Sequence, residues 1–104
     1  MAARTLPAHA PRPAFRDTPI DIVIDVRSRL EFWLGHLAGA ICMPVDAIAA
    51  QLPKHPDIGT DTRILVYCAS GARSAAAAAQ LRSLGFHAVT DAGAMATATL
   101  GYQP

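Results

Sequence analysis

Arg63-Ile-Leu-Val-Tyr-Cys-Ala-Ser-Gly-Ala-Arg-Ser74 runs directly into the alanine stretch Ala75–Ala79 and then Gln80-Leu-Arg-Ser-Leu-Gly85. Ile64, Leu65, Val66 and Tyr67 form a short apolar run of β-favouring residues, which predicts a buried strand. From Ser74 the pattern becomes helical: Ala77, Ala78, Leu81 and Leu84 recur as an amphipathic stripe, and Gly85 supplies a stop. Between the two lie Cys68, Ala69, Ser70, Gly71, Ala72 and Arg73. A strand that turns sharply into a helix aims the loop's N–H groups, and the helix N-terminus, at whatever sits in the loop. A cysteine in that position is expected to ionise easily. Gly71 permits the curl and Arg73 adds a fixed positive charge. The stretch from Cys68 to Ser74 therefore reads as an anion cradle around a nucleophilic sulfur, more than an inert core thiol requires.

Working outward, Ile20–Val26 is rich in Ile and Val and predicts a central strand. Ser28 and Glu31 have capping-box spacing for a helix to about Leu34, ended by Gly35. Ala40–Met43 reads as a short strand closed by Pro44, with Cys42 a small core residue. Val45–Leu52 has helical spacing, with Asp46 as N-cap. Residues 53–62 form a connector, and His87–Thr90 the last strand. Repeated prolines in residues 1–19 predict a mobile or loosely draped arm, with Phe15 as its anchor, before a single domain over residues 20–104. The alternation predicts an α/β fold: an open parallel sheet with helices on both faces, and the site at a strand's carboxyl end.

Tyr67-Cys68 through Arg73-Ser74 resembles the active-site loop of the rhodanese family of sulfurtransferases. Asp25-Val26-Arg27, Glu31-Phe32, Gly35-His36-Leu37-Ala38-Gly39-Ala40-Ile41 and Met43-Pro44 resemble the family's upstream motifs in the same order. The likeness covers about Asp21 to Ala94 and is closest to small bacterial rhodaneses of the phage-shock type. It implies a rhodanese-like fold and a Cys68 persulfide. It also implies structural roles for Asp25, Arg27 and His36. Many relatives carry a second glycine where this chain has Ala94, and a closing tryptophan and helix beyond it.

At 104 residues, 52% hydrophobic and 16% charged, the chain has the composition of one folded domain. A net charge of +1 gives no reason to expect a nucleic-acid or membrane partner. His55 has no Cys or His at ligand spacing, so no metal is expected, and the chemistry needs no cofactor. The expected partners are a small anionic sulfur donor and a thiol or protein acceptor, with the chain a monomer. Met1–Pro7 lacks the apolar centre of a secretory signal, which points to the cytoplasm, or to the periplasm if a signal has been removed.

Three functions compete. The leading one moves a sulfane sulfur from thiosulfate to cyanide or a thiol, with Arg73 attracting the donor's anionic end. A phosphatase or arsenate reductase also pairs a thiolate with an arginine, but its loop is one residue longer. The third is a non-catalytic sulfur carrier or partner-binding module of the same shape.

Overall fold

The computed structural model describes residues 12–104. In chain order its elements are β1 (Ala14–Phe15), β2 (Thr18–Pro19), β3 (Ile22–Asp25), α1 (Arg29–Leu34), β4 (Ile41–Cys42), α2 (Ile48–Gln51), β5 (Ile64–Cys68), α3 (Ala72–Ser83), β6 (Val89–Ala94), α4 (Met95–Gly101) and β7 (Tyr102–Gln103). Short 3-10 turns, Val45–Ala47 and Leu52–Lys54, flank α2.

Four strands form one parallel sheet in the order β4-β3-β5-β6. β5 is central, and all five of its residues are buried. Alternation along the strand sends its side chains to two layers. Ile64, Val66 and Cys68 join Ile24, Val26, Met43, Ile48, Ala77, Ala78 and Leu81 under α2 and α3. Leu65 and Tyr67 join Val23, Leu37, Ala92 and Ala98 on the other face, where Phe32 of α1 and Met95 of α4 also pack. Helices thus cover both faces, as the strand–helix alternation predicts.

The helix ends follow their local chemistry. At α1 the Glu31 N–H donates to Ser28 Oγ at 3.2 Å and the Ser28 N–H donates to Glu31 Oε1 at 3.1 Å, a complete capping box. After α3, the Gly85 N–H donates to Arg82 O and the Phe86 N–H to Leu81 O, with Gly85 at φ 98°. This closure needs a left-handed residue, and glycine adopts it without a Cβ clash.

Several expectations need correction. The proposed arm over residues 1–19 falls partly on residues 1–11, which lie outside the described residues. From residue 12 onward it is not loosely draped: Ala14 and Phe15 are buried, and β1 pairs antiparallel with both β2 and β7. Phe15 is the anchor, seated so close to Gly101 that a Cβ there would stand 2.6 Å from its ring. The last strand runs on from Val89 to Ala94 instead of stopping at Thr90, because Val89–Asp91 and, past a bulge at Ala92, Gly93 and Ala94 pair with β5. Beyond it, α4 and β7 return the chain to β1, so small residues with one buried alanine, Ala98, suffice to pack that end. Asp46 caps nothing; it lies within the 3-10 turn, and its side chain makes no cap hydrogen bond. Leu84 is half exposed, so the α3 stripe ends at Leu81.

Candidate active site

Cys68 is the last residue of β5 and Ala72 the first of α3, two residues before the sequence pattern turns helical at Ser74. Gly71 caps α3 at φ 109°, a left-handed conformation that bends the loop back over the strand end. The Gly71 N–H consequently donates to Cys68 Sγ at 2.9 Å. Ser74 is fully buried, and its hydroxyl donates to Gly71 O at 3.0 Å while standing within reach of the sulfur as well. Burial raises the Cys68 pKa. Hydrogen bonds from the Ser74 hydroxyl, whose single proton can turn from Gly71 O to the sulfur, and from the N–H groups of Ser74, Gly71 and Ser70 outweigh it, so the net shift is downward. Cys42 shows the opposite: burial pushes its thiol up.

The two cysteines are both free. Cys42 is in register with Asp25, and Asp25 with Tyr67, so Cys42 shares the Tyr67 face of the sheet. Cys68 belongs to the opposite face. A disulfide between them would have to pass through the sheet.

Arg73 pairs with an acidic neighbour. Its guanidinium holds Glu31 by two bonds, NH1 to Oε1 at 2.7 Å and NH2 to Oε2 at 3.1 Å. The bonds from Arg73 and from the Ser28 N–H draw the Glu31 carboxyl down to about 2. The Arg73 guanidinium, expected to attract the donor's anionic end, is engaged by Glu31 in this structure. Glu31 already neutralises it, and the pair ties α1 to the start of α3. Ala69, Ser70 and Ala72 are exposed and uncharged, so the donors that the loop turns toward Cys68 are backbone N–H groups and the Ser74 hydroxyl.

Beneath the loop lies a buried polar cluster. Arg27 donates to Asp25 from Nε at 3.0 Å and from NH2 at 2.7 Å, and from NH2 also to Gly35 O. The Tyr67 hydroxyl donates to Asp25 Oδ2 at 2.7 Å and accepts the Leu37 N–H at 3.0 Å. Asp25 has no solvent exposure, and this set of donors compensates its buried charge. Asp25 and Arg27 are thus structural, locking the residue before Cys68 to the loop after α1. Tyr67 was not singled out from the sequence; its place in an apolar run hid its polar tip. His36 stacks on Phe32 at 3.7 Å, with its Nδ1 2.8 Å from Phe32 O, and closes the C-terminal end of α1.

The sequence matches the Rhodanese-like domain over residues 12–92. The chain belongs to the rhodanese family. A tRNA uridine(34) hydroxylase of Cronobacter sakazakii is 37% identical over 79 residues, which are 73% of this chain but only 23% of that protein. An Escherichia coli structure described as a rhodanese with anions superposes with a TM-score of 0.67 at 26% identity, over 73% of this chain and 88% of its own. A human single-domain sulfurtransferase gives a TM-score of 0.59 at 26% identity, covering 67% and 72%. This rhodanese-like chain thus corresponds to nearly all of one solved relative and to less than a quarter of the curated one. Among its described residues, no helix is long and apolar enough to cross a membrane.

Proposed function

We propose that this rhodanese-like domain transfers a sulfane sulfur through a persulfide on Cys68. The Cys68 thiolate attacks the outer sulfur of a donor such as thiosulfate. A new S–S bond forms, the donor's own S–S bond breaks, and sulfite leaves with the electron pair. An acceptor, cyanide or a thiolate, then attacks the outer persulfide sulfur, and Cys68 departs as the thiolate. The two steps leave the enzyme unchanged, and ping-pong kinetics follow from the covalent intermediate.

The observation that carries this reading is the hydrogen bond from the Gly71 N–H to Cys68 Sγ, in a loop whose other N–H groups also lower the thiol's pKa. Ala69 to Ser74 hold the persulfide anion, with Ser74 supplying the one side-chain hydroxyl. Cys68 is shielded from water at rest, so the loop has to yield for the donor to enter. The test is the intact mass of the protein after thiosulfate treatment. A gain of one sulfur that disappears on adding cyanide, and is absent in Cys68→Ser, is the expected result. No mass gain from thiosulfate or from an organic persulfide would overturn the reading.

A further inference from the structure

Among the α-helices of the described residues, α1 alone has no buried residue. Its sequence, Arg29-Leu-Glu-Phe-Trp-Leu34, is nevertheless apolar on two sides at once. Phe32 turns inward against the layer of Leu37 and Tyr67. Leu30, Trp33 and Leu34 turn outward and are 65%, 78% and 72% exposed. Their i, i+3, i+4 spacing gathers them on one face of the helix. A helix apolar on all sides is normally buried, and one of six residues has little stability of its own. Here the capping box and the Glu31–Arg73 pair hold it in place, and nothing among the described residues covers its outer face. That face carries no unpaired acid, because Glu31, the only carboxylate of α1, is bound to Arg73.

We infer that the outer face of α1 is the contact surface between two copies of this chain, packed helix against helix about a two-fold axis. The inference is independent of the sulfur-transfer reading, and it departs from the monomer expected from the sequence. Area favours a second copy as the occupant. Leu30, Trp33 and Leu34 together offer roughly 450 Å2 of apolar surface. A small homodimer interface buries about 700 Å2 per subunit, of which about 65% is apolar, or roughly 450 Å2. The stripe therefore matches the apolar core that each copy has to supply. A two-fold axis sets such a patch against itself and closes the assembly at two chains. With the helices antiparallel, Leu30 of one copy meets Leu34 of the other, and the two Trp33 rings meet near the axis. The contact also bears on the site. Glu31 lies on the same helix and holds Arg73 at the start of α3, so covering α1 steadies the loop around Cys68.

Trp33 is the only tryptophan in the chain, so its fluorescence reports on this face alone. Sedimentation equilibrium of the full chain from about 5 to about 500 μM should show the mass rising from one chain toward two, as a micromolar dissociation constant for an interface of this size requires. Trp33 emission should move to shorter wavelength over the same range. Leu30→Lys and Leu34→Lys set like charges across the axis and should each weaken association at least roughly tenfold. Both side chains are exposed in the single chain, so melting curves at low concentration should stay unchanged. Leu84→Lys, at another exposed leucine just past α3, should associate as wild type does. A single-chain mass throughout, or association unchanged in both the Leu30 and the Leu34 variants, overturns the inference. So does association lost in Leu84→Lys alone, which places the contact elsewhere. A Trp33 emission shift with anionic phospholipid vesicles, in a chain that stays single, assigns the face to a membrane surface and overturns it too.

Discussion

Glu31 and Arg73 stand 42 residues apart in sequence and meet through two hydrogen bonds, the shorter 2.7 Å. The same carboxylate accepts the Ser28 N–H and Oγ–H, so one side chain caps α1 and secures the second residue of α3. The position of the loop around Cys68 therefore depends on α1, through a contact that loop composition alone does not reveal.

Arg73→Ala should accordingly lower transfer from thiosulfate and from an uncharged sulfane-sulfur donor by similar factors, because it loosens the loop and Glu31 already neutralises its charge. Steady-state kinetics with both donors check this. A selective rise in the KM for thiosulfate would restore the guanidinium to a binding role.

Glu31→Gln keeps an acceptor for the cap and removes the charge. Exposed ion pairs contribute about 0–1 kcal/mol and caps typically about 1 kcal/mol, so the variant should lose no more than about 1 kcal/mol in urea titration. The pH dependence has a defined sign. The Glu31 carboxyl is lowered to about 2 in the fold, so its contribution is complete above the ordinary carboxylate range and is lost as pH falls from about 4.5 toward 2. Wild type should lose stability across that window, and Glu31→Gln should lose less.

The depressed pKa of Cys68 should appear as a midpoint of iodoacetamide alkylation below that of an ordinary thiol. Ser74→Ala removes one hydrogen bond to the thiolate and should move the midpoint upward. Cys68→Ser should abolish sulfur transfer, whereas Cys42→Ser, on the opposite face of the sheet, should retain most of it.

Gly71→Ala tests the left-handed cap. A Cβ there meets no atom within 4 Å, so any cost is conformational. A loss of about 1–2 kcal/mol in stability is expected, with a slower alkylation rate if the loop relaxes toward negative φ.

Tyr67→Phe removes the hydroxyl that links Asp25 to the Leu37 N–H, leaving buried partners unpaired. Chemical denaturation should show a loss of about 1–3 kcal/mol.

Much of this protein is legible from local pattern. The apolar β-favouring run Ile64–Tyr67, the Ser28/Glu31 cap and the Gly85 stop each act within a few residues, and each appears where short-range chemistry puts it. The position of Cys68 at a strand end is likewise local, since the change from strand to helix is written in consecutive residues. Tertiary structure alone decided the partners. Whether Arg73 faces the donor or Glu31, and whether Tyr67 is an apolar filler or a polar strut, depend on which distant segments the sheet order brings alongside. The same holds for the chain ends: Ala14–Phe15 and Tyr102–Gln103 are too short to pair as strands alone, and only the fold brings their backbone N–H and C=O groups together.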